Sequence, residues 1–323
     1  MRQLGNSDVY ISTILLGTAA IGGLYGTANE TESIEAIQTS IENEVIAIDT
    51  SPCYGNSEEI IGRALTGCRN KVVISTKCGV TWIKKENPTA GECPFFIKKN
   101  AKPEAIFREC EESLKRLRTD RIDLYQIHWP DPDSSIEESW EAMVTLKNQG
   151  KVRAIGVSNY SLKQLKQAHA FHPVDSIQLP YSLIRRDIEQ DIIPFCQKNQ
   201  IAVLAYSPLE KGLLTGNVPL ERTFSTEDYR STMDLFSIEN RKIIMKVLEQ
   251  IKLVADTHKA SLTQLIIAAT EDIPGITGVI AGARNKTQAL ENAKALQLHL
   301  TSKEKEIILD ALQSDTLLKL SGL

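Results

Sequence analysis

The chain has 323 residues, 42% of them hydrophobic and 24% charged, and 37 basic against 41 acidic side chains leave a net charge of −4. That balance is ordinary for a globular protein and offers no basic surplus for displacing counterions, which argues against nucleic acid as the main partner. The longest apolar runs, such as Ile201–Tyr206, are too short for a bilayer, and the opening MRQLGNSDVY lacks the apolar core of a secretion signal, so no membrane role is expected.

From the N-terminus, a short apolar run at Thr13–Leu16 precedes an amphipathic segment, Glu32–Asn43, with Ile34, Ala36, Ile37 and Ile41 on one face. Val45–Ile48 leads to a helical pattern at Ser57–Leu65, with Asn56 and Ser57 as capping residues. Val72–Thr76 is followed by a long loop, Gly79 to Lys102, and a helix at Pro103–Leu117. The next three runs, Ile122–Ile127, Ala154–Val157 and Ser176–Leu179, are followed by helices at Ser135–Asn148, Ser161–His169 and Asp187–Lys198. Ser161 and Asp187 read as N-caps. Ala202–Tyr206 leads through 207–237 to helices at Ile238–Thr257 and Ser261–Thr270. Gly278–Ala281 leads to Lys286–Ala295 and Ser302–Leu312.

The runs are short, rich in β-branched residues or Leu, and apolar on both faces, as in strands buried on two sides. Strands alternating with helices require parallel pairing, because parallel neighbours need crossover connections. A doubly wound open sheet and a closed barrel both meet that condition. Eight runs without a Gly-rich first turn favour the barrel. Residues 1–323 therefore read as a single α/β unit, a (β/α)8 TIM barrel, with no Pro-, Gly- or Ser-rich linker. A bare barrel takes roughly 250 residues. The surplus lies before the first strand, at 79–102, at 207–237 and after 300. The first is expected to cap the barrel bottom, and the others to wall the C-terminal face.

The six cysteines, at 53, 68, 78, 93, 110 and 196, form no C-x-x-C pair and no zinc framework, and the five histidines include no H-E-x-x-H. A cytoplasmic chain with reduced thiols and no metal is expected. Neither a P-loop nor a G-x-G-x-x-G is present.

Barrel chemistry sits at the C-terminal ends of strands. There the sequence carries Asp49 and Tyr54, Lys77, His128 with Trp129, Ser158 with Asn159, Gln178, and Tyr206 with Ser207. Singly, each has an ordinary reading: Asp49 as a helix cap, Tyr54 as a turn residue, Lys77 as a snorkelling cation, His128 as a hydrogen-bonded core residue. Together they read otherwise. A buried Lys77 needs a partner, and Asp49 on the adjacent strand is the obvious one. A phenol facing that ammonium has its phenolate favoured, which makes Tyr54 a proton donor usable near neutral pH. A neighbouring His128 can orient a carbonyl oxygen.

The segments I-D-T-S-P-C-Y-G (48–55), S-T-K-C-G (75–79), D-L-Y-Q-I-H-W-P (123–130), G-K-V-R-A-I-G-V-S-N-Y (150–160), A-Y-S-P-L (205–209) and G-A-R-N-K-T-Q-A-L-E-N (282–292) closely resemble the aldo-keto reductase superfamily. The match runs in order over nearly the whole chain. The D-L-Y-Q-I-H-W-P and G-A-R forms resemble the microbial branch related to potassium-channel β subunits.

The resemblance implies NADP(H)-dependent reduction of a small-molecule aldehyde or ketone. Asp49, Tyr54, Lys77 and His128 match the catalytic tetrad, with Tyr54 as general acid. It also implies NADP(H) extended across the barrel mouth, which accounts for the missing G-x-G-x-x-G. Gly17 and Thr18 fall on that cofactor's wall. Ser158, Asn159 and Gln178 match residues that hold the carboxamide, and Tyr206 the ring that stacks on the nicotinamide. Ser207, Leu209, Lys211, Gly212 and Leu213 belong to a segment that folds over the pyrophosphate. Gly282 and Arg284 lead into a helix N-terminus suited to phosphate, with Arg284 for the 2′-phosphate. Gln288, Glu291 and Asn292 match adenine and ribose contacts.

Two positions depart from the family pattern. Ala19 stands where many relatives carry a Trp, which should open the substrate pocket, and Ala269 replaces another Trp that concerns helix packing. Trp82 and Trp129 remain as aromatic pocket walls, with packing of its own loop the alternative for Trp82. Strand alternation turns Cys78 away from the Lys77 side, and Cys53 reads as a turn filler, with a place near the substrate as the alternative. Three other functions stay open: a redox-sensing cofactor-binding subunit with little turnover, an aldose dehydrogenase working oxidatively, and a barrel enzyme of phosphorylated metabolites.

Overall fold

Alternation along each barrel strand sends every second side chain inward and the others out to the helices. In the computed structural model, which describes residues 1–23, 28–85, 95–225, 228–313 and 317, eight strands obey that rule. They are β3 (Ile14–Gly17), β4 (Ala47–Asp49), β5 (Val73–Cys78), β8 (Ile122–Ile127), β9 (Val152–Ser158), β10 (Ser176–Pro180), β11 (Ala202–Tyr206) and β12 (Gly278–Gly282). All neighbouring pairs are parallel, and β12 closes onto β3 to complete a (β/α)8 barrel. Around it run α1 (Glu30–Glu42), α2 (Ser57–Ala64), α3 (Pro103–Leu117), α4 (Ile136–Asn148), α5 (Leu162–Phe171), α6 (Ile192–Asn199), α7 (Ile238–Thr257), α8 (Leu262–Glu271), α9 (Lys286–Lys294) and α10 (Ser302–Leu312).

The first residues fold into an antiparallel pair, β1 (Arg2–Gln3) and β2 (Tyr10–Ile11). Leu4, Val9 and Ile11 drive into the barrel's lower end against Leu15, Ala47, Leu124, Ala202 and Leu204. Capping of the bottom is thus accomplished by apolar packing. Higher up, the inward positions turn polar: Asp49, Ser75, Lys77, Gln126, Ser158, Ser176 and Gln178 are all buried. The outward-facing residues, among them Ile48, Ile74, Tyr125 and Ile155, join the larger core under the helices. Ala269 on α8 belongs to that core, as expected for helix packing.

Three local expectations need correction. The segment Gly79 to Lys102 is not all loop: β6 (Val80–Lys84) and β7 (Phe95–Lys99) pair as an antiparallel hairpin outside the barrel, with Trp82 opposite Ile97. Its β-branched and aromatic residues favour strands, but the pair breaks the βα rhythm from which the other elements were read. The sixth helix begins at Ile192, capped by Asp191, while Asp187–Glu189 forms a separate 3-10 turn. Asn56 makes no side-chain cap for α2, and Ser57 spends its hydroxyl on Thr50 Oγ1 at 2.8 Å. Ser161 does cap α5, in a reciprocal box with Gln164. Cys93 and most of the tail from 313 onward lie outside the described residues. Among the described residues no helix is long and apolar enough to cross a membrane.

Helices α2 and α3 meet at Gly62. A Cβ built there would come within 2.5 Å of the Arg116 carbonyl oxygen. Buried Glu58 locks the same contact, accepting from Arg116 Nε at 2.7 Å and from Thr76 Oγ1 at 2.6 Å. Gly62→Ala is therefore expected to cost about 1–3 kcal/mol through backbone displacement. A lowered urea midpoint at constant slope checks it; an unchanged midpoint would show that the helices separate freely.

Candidate active site

Lys77, in β5, is fully buried. Its Nζ donates to Asp49 Oδ1 at 2.7 Å and to the Thr50 carbonyl at 2.9 Å. Asp49 keeps its second oxygen occupied: Oδ2 accepts from Ser75 Oγ at 3.0 Å and from Gln178 Nε2 at 2.8 Å. Gln126 Oε1 accepts from the same two side chains, each at 3.2 Å, while its Nε2 reaches Ser176 Oγ at 3.3 Å. The network spans β4, β5, β8 and β10, and it holds the charge pair with its polar atoms satisfied.

Tyr54 follows β4 in the turn before α2. The Lys77 ammonium stands 5.4 Å from the centre of its ring. Edge-on rings flank it: His128 at 5.8 Å and Trp82 at 5.9 Å between centroids. The turn is seated by two glycines. A Cβ on Gly22 would fall 2.0 Å from the Tyr54 carbonyl oxygen, and one on Gly55 would fall 2.6 Å from that of Gly22. Gly55 also has φ +55, which L side chains rarely adopt. The backbone carrying Tyr54 and the loop after β3 thus touch directly, a role for Gly22 that G-T-A-A-I-G-G gave no reason to assign.

His128 is buried, and burial together with Lys77 holds its imidazole well below the usual histidine range. Its ring is therefore neutral near pH 7. Its Nδ1 meets Ser51 Oγ at 3.2 Å and Cys53 Sγ at 3.6 Å. Cys53, expected as a turn filler, thus packs against the imidazole, and burial pushes its thiol up to about 12. Cys78 points the other way, toward Met143, as alternation requires.

Asn159 links three parts of the site. Its Nδ2 donates to the His128 carbonyl and to Ser158 Oγ, each at 3.0 Å, and its Oδ1 accepts from the Tyr206 hydroxyl at 2.9 Å. The Tyr206 ring is thereby fixed across the mouth. Beyond it the chain winds through left-handed residues, Ser207 (φ 61), Glu210 (φ 44), Lys211 (φ 56) and Gly212 (φ 97). Glu210 is buried among Ser182, Arg185 and Lys211. Burial lowers the Lys211 ammonium pKa, with Glu210 opposing the shift.

One cavity of about 720 Å³ joins these groups. Tyr54, Trp82, Ala19, His128 and Trp129 line it, with Lys99 Nζ 5.0 Å over the Trp129 ring. So do Gly17, Thr18, Asp49, Ser158, Asn159, Gln178 and Tyr206, and Ser207, Leu209, Lys211 and Gly212. Gly282, Arg284, Gln288, Glu291 and Asn292, from the end of β12 and from α9, line it as well. Of the residues singled out from the sequence, two do not line it. Lys77 lies behind the wall, and Leu213 packs into the core beneath the loop, because its side chain leaves the turn on the protein side. Arg185, Arg222, Arg230 and Met233 line the cavity without having been singled out. Arg230 holds Asp228 through Nε and Nη2 and lies 4.8 Å over the Phe224 ring, contacts within a segment that carried no recognisable motif. Among the described residues no group of acidic, His and Cys side chains is placed to hold a metal ion.

Residues 13–313 match the Aldo/keto reductase family. The chain is 38% identical over 292 residues to Aldo-keto reductase YhdN of Bacillus subtilis, covering 88% of this chain and 85% of that one. It is 33% identical over 314 residues to the NADH-specific methylglyoxal reductase of Escherichia coli, covering 94% and 96%. Among solved structures it is similar to the glycerol dehydrogenase of Gluconobacter oxydans, with TM-score 0.86, 33% identity, and coverage of 96% and 94%.

Removing one partner of a buried ion pair leaves the other charge uncompensated. Lys77→Met is therefore expected to lose about 3–5 kcal/mol of stability. Chemical denaturation reads the loss, and a variant as stable as the parent would show that Asp49 is not held as a buried carboxylate.

Proposed function

The chain belongs to the aldo/keto reductase family, and from that premise we propose that it is an NADP(H)-dependent reductase of aldehydes or ketones, with Tyr54 as the proton donor. One observation carries the reading. A phenol and a neutral imidazole, backed by a buried ammonium, line the same cavity as a guanidinium at a helix start.

The residues present fit a nicotinamide dinucleotide. Tyr206 offers a flat ring held by Asn159. Ser158 accepts from Asn159 and keeps its own hydroxyl hydrogen to donate. Gln178 gives its amide hydrogens to Asp49 and Gln126, which leaves Oε1 to accept from a carboxamide. Lys211 supplies charge beside the loop over the pyrophosphate. Arg284 supplies a planar, bidentate donor for a 2′-phosphate, the feature that favours NADP(H) over NAD(H). When bound, the reduced nicotinamide supplies a hydride to the carbonyl carbon.

The protein's own groups act on the oxygen. Tyr54 and His128 receive the carbonyl oxygen between them, and Trp82 and Trp129 exclude water from it. Tyr54 gives up its phenolic proton as negative charge develops there. The adjacent Lys77 ammonium stabilises the phenolate left behind, and Asp49 keeps that ammonium in place. Ala19 leaves room above the mouth for the rest of the substrate. Alcohol oxidation uses the same groups in reverse, and the likeness to a glycerol dehydrogenase keeps that direction in view.

Tyr54→Phe is expected to lower kcat by roughly 10²–10⁴-fold against a panel of aldehydes; equal rates would exclude Tyr54 as the acid. Arg284→Ala is expected to raise KM for NADPH by about tenfold or more while leaving NADH nearly unmoved, as a lost charged hydrogen bond requires. An unchanged preference would remove the 2′-phosphate role. The pH dependence of kcat follows from His128. Its depressed pKa puts protonation well below the ordinary value of about 6.5, so falling pH should charge it late. As pH falls, no loss of activity centred at about 6.5 is therefore expected, and such a loss would contradict it.

A further inference from the structure

We propose that Ser51 is a positioning residue: by donating its hydroxyl hydrogen to His128 Nδ1, it keeps the imidazole hydrogen on Nε2, the nitrogen left for the cavity. The inference rests on the reading of His128 as a group that orients the carbonyl oxygen.

Ser51 lies buried in the turn between β4 and α2. Its Oγ is 3.2 Å from His128 Nδ1 and 3.1 Å from Cys53 Sγ, and it receives the Cys53 backbone N–H at 3.4 Å. Cys53 Sγ is itself 3.6 Å from Nδ1. Among the described residues His128 Nε2 makes no hydrogen bond to protein. The neutral ring carries a single N–H, and the thiol, pushed up by burial, keeps its hydrogen.

Counting hydrogens against acceptors separates the two tautomers. With the ring hydrogen on Nε2, Ser51 O–H points at Nδ1. The two lone pairs of Ser51 Oγ then take the N–H and the S–H of Cys53, so every hydrogen of Ser51 and Cys53 has an acceptor, and the ring's own N–H is left to the cavity that His128 lines. With the ring hydrogen on Nδ1, that hydrogen and the Cys53 N–H fill both lone pairs of Ser51. The hydroxyl hydrogen is left with sulfur, a weak acceptor, and the thiol hydrogen has neither oxygen nor nitrogen to meet. Buried donors without partners are costly, so the first arrangement prevails.

The consequence lies at the substrate. An Nε2–H presents the carbonyl oxygen with a second donor beside the Tyr54 hydroxyl. The opposite tautomer would set a lone pair against the oxygen's own. Ser51 thus acts on the reaction through His128, without touching the reacting atoms.

Nitrogen-15 NMR of protein labelled at histidine reads the tautomer directly, with the His128 signals assigned by their loss in His128→Asn. The expected spectrum has Nε2 protonated and Nδ1 bare. In Ser51→Ala the His128 signals should move toward a mixture of tautomers, while those of the other four histidines stay in place as evidence of an intact fold. The same variant should lose about fivefold in kcat, the worth of one hydrogen bond, with KM for NADPH unchanged, and Ser51→Thr should restore both spectrum and rate. A wild-type spectrum with the hydrogen on Nδ1, or a Ser51→Ala spectrum identical to wild type, overturns the assignment. Absence of any carbonyl-dependent oxidation of NADPH or NADH by the wild type would sink the reductase reading instead, while the spectra still decide the role of Ser51.

Discussion

Lys77 carries an ammonium with no exposure to solvent. Taking such a group out of water costs several kcal/mol unless its hydrogens are met and its charge is balanced. Asp49 and the Thr50 carbonyl meet that demand, but only by exporting it: Asp49 must then be satisfied by Ser75 and Gln178, and both of these engage Gln126. The upper half of the barrel interior is polar for this reason. The lower half is closed by the N-terminal segment, whose Leu4, Val9 and Ile11 pack into it from below. Without that plug the charge pair would be open to solvent from beneath, and its influence on Tyr54 would be screened.

The same economy of contacts organises the mouth. Asn159 uses its whole amide to tie Tyr206, Ser158 and the His128 backbone into one unit. The proposed nicotinamide platform and the proposed carbonyl-binding group therefore hold a fixed spacing. Gly22 and Gly55 let the turn bearing Tyr54 approach the loop after β3 at backbone distance. Larger residues at either site would move the phenol away from the ammonium that supports it.

Much of this was legible in the chain. Eight apolar runs separated by helical patterns gave the barrel, and their polar ends gave Asp49, Tyr54, Lys77 and His128, which converge as expected. Other parts carried no local signal. Ser75, Gln126 and Ser176 look like ordinary strand residues until the barrel turns them inward together. The β6–β7 hairpin interrupts the rhythm by which strands were recognised. Leu213 sits in a run of residues that reach the cavity wall, yet the left-handed turn before it sends its side chain into the core. Arg222 and Arg230 reach the cavity from a stretch without periodicity, where composition does not say which way a side chain faces.

By itself the sequence determined the order of strands and helices and which residues arrive at the C-terminal strand ends. These are local properties, set by hydrophobic period and by two-residue alternation. Only the tertiary structure decided which of those residues meet. Gln178 reaches Asp49 across 129 positions, and His128 meets Ser51 across 77. Such pairs depend on the register in which the strands close into a barrel, and on the burial that makes each polar atom find a partner. Neither is written in any single segment.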